Sequence, residues 1–181
     1  VRLSIVIPTR GRPDGLKRCL DSINQHTTDC EVIVVDHDGG LNEKINYGMR
    51  MATGDYITLL HDDVEVTAGW ADTLSDVGAF KIGEMNDTLI CWGGIGGGYC
   101  TDPSSNPDYS AFLVLSRRAY ATIGQTDEFY KEPGHQDADY GKQIKKAGYE
   151  ITCLPGKIIH RPARHAPLSD ENRIYFEGKW V

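Results

Sequence analysis

The sequence predicts an α/β domain with a mostly parallel central sheet flanked by helices. Three observations predict it. Short, largely apolar runs at 3–7, 31–35 and 56–60 have strand length and lack polar alternation, as strands buried on both faces do. Between them lie two segments whose apolar residues recur at helical spacing. Each run also stops abruptly at polar residues: Thr9-Arg10, Asp36 and His61-Asp62-Asp63. Strand, helix, strand, helix, strand is the order of a parallel sheet with covered faces.

Each element has a local reason. The run 3–7 ends at Pro8-Thr9, and Pro13 then suits the first turn of a helix, where no N–H is needed and φ is already set. Asp14 favours the same turn, and Leu16, Cys19, Leu20 and Ile23 share one face. The second run stops at Asp36, and Asp38-Gly39-Gly40 is turn chemistry. Leu41, Ile45 and Met49 mark the second helix, and Gly54-Asp55 separates it from the third strand. Further on, 68–77 predicts a helix with Trp70, Leu74 and Val77 inward. Strands are predicted at 88–92 and 111–115, with a glycine-rich polar stretch at 93–110 between them. A helix over 137–147 ends at Gly148, and a strand follows at 150–154. From Arg161 the chain is polar, carries two prolines, and reads as a loop or lid.

Composition narrows the function. With 181 residues, the chain is long enough for one domain with a sizeable core. A formal charge of -7 argues against a nucleic-acid partner, whose phosphates demand a basic surface. An acidic protein still holds a nucleotide when a divalent cation bridges the two. The five cysteines form no C-x-x-C pair, so neither a disulfide framework nor a zinc ribbon is suggested. Reduced, buried thiols predict a soluble cytoplasmic protein. No apolar run reaches membrane-spanning length.

In open parallel sheets, ligands bind outside the carboxyl ends of the strands. The three polar strand ends should therefore converge on one crevice. Asp62-Asp63 has the hard oxygen ligands that divalent cations prefer, although such a pair also makes a solvated turn. His160, after the apolar Ile158-Ile159, is either a cation ligand or a hydrogen-bonded structural histidine, with His61 and His165 weaker candidates. By spacing alone, Asp137 and Asp139 cap a helix; a carboxylate base facing the crevice is the functional reading. No phosphate-binding Gly-Lys-Ser/Thr loop, dinucleotide fingerprint, H-E-x-x-H or G-x-S-x-G is present.

These motifs, in this order, resemble the family 2 GT-A glycosyltransferases over nearly the whole chain. "SIVIPTRGRPDGLKRCLDSI" is similar to the family's opening strand and helix, and "EVIVVDHDGG" to its second strand. "INYGMRMATGDYITLLHDDVEVTAGW" resembles the run into its DXD motif. The stretch from "LVLSRRAY" to "KIIHR" resembles the acceptor-side half, with an ED-type motif and a late histidine. Two departures stand out: His61 replaces the first aspartate of DXD, and Gln136 the glutamate of ED.

The resemblance implies a single Rossmann-like GT-A catalytic domain over 1–160, with a nucleotide-sugar-binding half at 1–92 and an acceptor-side half at 93–160. Residues 161–181 would be a C-terminal tail and candidate lid. Pro8, Thr9 and Arg10 would line the nucleotide pocket, Asp36 would meet the base, and Asn46 and Asp62 would serve the donor. Asp63 and His160 would hold Mn2+ or Mg2+, and Asp137 would be the catalytic base. The implied reaction is inverting, metal-dependent sugar transfer from a nucleoside diphosphate sugar, by default a UDP-sugar. The acceptor would be a hydroxyl on a glycan, a lipid-linked saccharide or another molecule. Arg161 and Arg164 would fold over the diphosphate. The alternatives are a nucleotidyltransferase acting on a sugar phosphate and a non-catalytic nucleotide- or sugar-binding module.

Overall fold

The computed structural model describes residues 2–72, 89–95, 112–132, 134–149, 151–161 and 169–181, with backbone alone for 89–95 and 152–157. Strand β1 (Leu3–Pro8) is followed by α1 (Pro13–His26), β2 (Cys30–Val35), α2 (Leu41–Met51) and β3 (Tyr56–Leu60). These elements match the expected order and bounds, but β2, read as a buried strand, lies at the sheet edge with Val32 and Val34 exposed. Then come β4 (Val64–Val66), β5 (Leu89–Ile95), β6 (Phe112–Ser116) and a short α3 (Arg117–Ile123). Helix α4 (Gln136–Lys146), β7 (Ile151–His160) and α5 (Asp170–Lys179) complete the described elements.

The described strands form one mixed sheet in the order β2-β1-β3-β6-β5-β7-β4. β1 pairs in parallel with β2 and β3, and β5 with β7, whereas β6 and β4 run against their neighbours. Five strands therefore point one way and two the other. The first half of the chain reverses strand order around β1, which has β2 on one side and β3 on the other. That reversal opens a crevice at the carboxyl ends of β1 and β3.

Every residue of β1 is buried, because a helix covers each face. Ile5 and Ile7 pack with Cys19 and Ile23 of α1, while Val6 packs with Val35, Leu41, Ile45 and Met49 around α2. Gly48 is where α2 comes closest to the sheet: a Cβ there would overlap Val6. The same faces extend across β3 and β6, with Trp70 set edge-on to Phe112 at 5.7 Å between ring centroids.

Four further features differ from the sequence reading. β4 is only three residues long, too short to declare itself by periodicity, and is held as an edge strand by β7. β5 runs on to Ile95, into the stretch read as a glycine-rich loop. β7 runs on to His160, crossing an irregularity in its pairing with β5. Residues 170–179 are helical, capped by Ser169, whose hydroxyl accepts from the Asn172 N–H. The helix expected at 68–77 begins at Trp70 and otherwise lies outside the described residues, as does most of the 93–110 stretch.

Candidate active site

The carboxyl ends of β1, β3 and β7 meet at one place, and hydrogen bonds knit the first two together. Asp62, 0% exposed, accepts from the Thr9 hydroxyl at 2.9 Å and from the Arg10 N–H at 3.2 Å. The Thr9 carbonyl accepts from the buried Lys44 ammonium at 2.8 Å. Pro8 is buried as the last residue of β1. Helix α1 presses on the same loop: a Cβ at Gly15 would lie 2.9 Å from the Asp62 carbonyl oxygen. Asp62 therefore serves first as the brace between two strand ends.

The β4–β7 ladder brings the third end in. Val64 is in register with His160, and the Arg161 N–H donates to the Asp63 carbonyl at 2.9 Å. This pairing sets His160 Nε2 3.4 Å from Asp63 Oδ1, although the two residues lie far apart in sequence. Asp63 Oδ1 is buried and has no hydrogen-bond partner. Burial alone would raise the Asp63 carboxyl. His160, His61 and Arg12 outweigh it and hold the group well below the ordinary carboxylate range.

Arg12, at the N-cap position of α1, was not singled out by sequence reasoning. Its Nη1 donates to Asp63 Oδ2 at 2.7 Å, and its Nη2 pairs with Asp62 Oδ1. The signal was present only as a basic residue close behind the first strand, and contact with Asp62 and Asp63 needed the fold to reveal it.

Asp137 joins from α4. His135 precedes it in a left-handed conformation, φ 65°, after Gly134 at φ 124°, so the chain turns sharply into the helix. Asp137 lies within electrostatic reach of His61 and His160. Burial pushes its carboxyl above the ordinary value, against the pull of those two histidines. Asp137 has no hydrogen-bond partner among the described residues, and the N-cap position belongs to His135. Asp139 is different. It is 1% exposed and accepts from Tyr130 at 3.1 Å, Trp180 Nε1 at 2.8 Å and Lys179 at 2.9 Å. It is a structural tether.

The structure thus brings together Thr9, Arg10, Asp62, Asp63, His160 and Asp137. It places two other expected residues differently. Asp36 is exposed at the end of β2. Asn46 is 0% exposed, and its amide is fully engaged. Its Nδ2 donates to the Thr126 carbonyl at 2.8 Å and to Glu128 at 2.9 Å, while its Oδ1 accepts from the Thr126 N–H and hydroxyl. That clamp holds the loop leading to α4. Arg161 pairs with Glu65 at 2.6 Å, and Arg164 and His165 lie outside the described residues.

Among the described residues, no group of three His, Cys, Asp or Glu side chains is placed to hold a metal. Asp63 and His160 still suit one. An ionised carboxylate oxygen without a hydrogen bond faces an imidazole nitrogen across 3.4 Å. Two ligand atoms about 2.1 Å from one ion lie roughly that far apart. Magnesium-like ions commonly take one or two protein ligands and complete their shell with phosphate and water.

The sheet order and the likeness to solved structures give the chain the fold of the GT-A glycosyltransferases. The chain is similar to the catalytic domain of Drosophila β1,4-galactosyltransferase 7 in complex with xylobiose, with a TM-score of 0.71, 14% identity, and coverage of 97% of this chain and 79% of that one. A mutant of that enzyme in complex with manganese, UDP-Gal and xylobiose gives a TM-score of 0.66 and 15% identity over 96% of this chain and 78% of that one. TarS of S. aureus gives a TM-score of 0.67 and 15% identity over 97% of this chain, which spans only 38% of that longer protein. No protein-family model and no curated protein sequence matches the chain.

Proposed function

We propose that this chain is an inverting glycosyltransferase that moves a sugar from a nucleoside diphosphate sugar to an acceptor hydroxyl. The observation that carries the reading is the convergence of Asp63, His160 and Asp137 at the carboxyl ends of the sheet. The manganese and UDP-Gal of the similar galactosyltransferase complex support a divalent cation and a uridine nucleotide for this chain as well.

In this reading, Pro8, Thr9, Arg10 and Asp36 border the nucleotide, with Asp62 bracing Thr9 and Arg10. Asn46 serves the donor side indirectly by holding the 126–128 loop against α2. Asp63 and His160 hold Mn2+ or Mg2+. When bound, such a cation supplies positive charge to the departing diphosphate. Asp137 takes the acceptor hydroxyl proton as the oxygen attacks the anomeric carbon. One bond forms, from acceptor oxygen to anomeric carbon; one breaks, from that carbon to the phosphate oxygen. The nucleoside diphosphate leaves from the opposite face, so the configuration inverts. A carboxyl raised by burial is a stronger base than an exposed one, which suits this role.

Asp137→Asn tests the assignment. It keeps the shape of the side chain and removes the base. Donor binding should persist while transfer falls by about 10²–10⁴-fold. Turnover within a few-fold of the parent enzyme would remove Asp137 as base. Donor binding with no turnover in the parent, for every acceptor tried, would favour a binding module.

A further inference from the structure

We propose that Arg12 occupies the cation site's carboxylates until the donor arrives, and so makes divalent-cation binding conditional on the diphosphate. The inference rests on reading Asp63 and His160 as the cation site. Arg12 is one-third exposed and bridges a fully buried carboxylate and a nearly buried one. Asp63 turns one oxygen to His160 and the other to Arg12. A cation at Asp63 would then share a single carboxylate with a fixed guanidinium, two positive charges on one negative group.

The guanidinium is not fully satisfied in this seat. Its Nε–H is buried without a hydrogen-bond acceptor, so the seat satisfies it only in part. Thr9 and the Arg10 N–H hold Asp62 Oδ2, Arg12 Nη2 holds its Oδ1, and Asp63 keeps His160 when Nη1 leaves it. Arg12 can therefore release Asp63 through Nη1 while Nη2 stays on Asp62 Oδ1, and neither carboxylate is stranded. A diphosphate brings the missing acceptors: its oxygens match the planar fork of a guanidinium better than any point charge does. With the donor bound, Arg12 turns from Asp63 to phosphate, and the cation takes the vacated side. Cation and donor then bind with positive coupling, and the coupling is reciprocal. In the apo protein the guanidinium offsets one of the pair's two negative charges and keeps the crevice from scavenging stray cations.

The test is Mn2+ binding, read as loss of the free-ion electron paramagnetic resonance signal, with no turnover required. The parent protein should bind Mn2+ weakly alone and at least ten-fold more tightly with saturating UDP. Arg12→Gln keeps a polar side chain but removes the charge. It should bind Mn2+ alone at least ten-fold more tightly than the parent and lose most of the gain from UDP. Arg12→Lys keeps the charge but not the fork, and is read if Arg12→Gln melts at the assay temperature. It should fall between the two. Unchanged or weaker Mn2+ binding in a folded Arg12 variant overturns the inference. Asp63→Ala separates this failure from that of the cation reading. If it abolishes Mn2+ binding while Arg12 variants do nothing, only the competition is wrong. If Mn2+ binds neither parent nor variants, with or without UDP, both are.

Discussion

At the scale of single residues, the groups around the crevice divide into those that hold the site and those left to act. Asn46 belongs to the first set. Its four hydrogen bonds tie α2 to the loop that carries Thr126 and Glu128. Asn46→Ala removes all four and leaves buried partners unsatisfied, a cost of about 2–3 kcal/mol. The melting temperature should fall by roughly 4–12 °C for a domain of this size. A loss under 1 °C in a thermal melt would mean that the loop is held by other contacts. Asp137 and the Asp63–His160 pair belong to the second set. Their proposed roles came from the resemblance to the family 2 GT-A glycosyltransferases, since by spacing alone Asp137 reads as a helix cap and His160 equally as a structural histidine. The roles of Asn46 and Arg12 were not legible, since their partners lie 80 residues away for Asn46 and 50 and 51 for Arg12. Likewise, Asp137 and Asp139 look interchangeable in sequence, and only burial beside Tyr130, Lys179 and Trp180 marks Asp139 as the tether.

At the scale of elements, α5 is the part that sequence described least well. Its exposed face is polar apart from Ile174, and its anchoring is carried by few residues. Asn172 donates to the Glu132 and Gly134 carbonyls, Tyr175 stacks on Phe129 at 3.8 Å, and Lys179 bridges Asp127 and Asp139. The helix thus braces the 127–135 loop that leads into Asp137. Burial alone would raise the Asp127 carboxyl, but Lys179, the Phe129 N–H and Tyr175 hold it below its ordinary value. Burial would lower Lys179, yet Asp127 and Asp139 hold it above its own. A depressed carboxyl contributes stability above its unfolded value, about 3.9, and that contribution fades as pH falls through the folded value. A raised lysine contributes below about 10.4 and fades as pH rises through its folded value. Docking of α5 should therefore be pH-independent between those limits and loosen in acid. Hydrogen exchange over 169–181, corrected for intrinsic rates, should show the acid limb, and Asp127→Asn should flatten it. An identical limb in that variant would assign it to another group.

At the scale of the whole molecule, the crevice at the carboxyl ends of the open sheet exists only in the folded chain. A ligand that binds there adds its binding energy to folding, about 2.7 kcal/mol at a hundred times its dissociation constant. One diphosphate among UDP, GDP, CDP and TDP, given with Mn2+, should raise the melting temperature by roughly 5–10 °C. The shift should vanish in Asp63→Ala. No shift with any of the four would count against the transferase reading and favour a module with another ligand. The architecture itself was largely readable, because β1, β2 and β3 are apolar and punctuated by turns. The reversal of β6 and the edge position of β4 were not, since strand direction depends on connections that the local pattern does not encode.

The β4–β7 ladder also fixes when the site comes into being. Asp63 and His160 are 97 residues apart, from 160 less 63, and meet only when the seventh strand pairs with the fourth. At the pace of a ribosome, about 5–20 residues per second, the aspartate is made some 5–20 s before its histidine. During that interval a nascent chain carries the acidic pair without His160, which in the proposed reading completes the cation site. In the proposed reading, competence for metal and donor waits until the segment carrying His160 has been made and paired, and nucleotide-dependent Mn2+ capture would report that pairing.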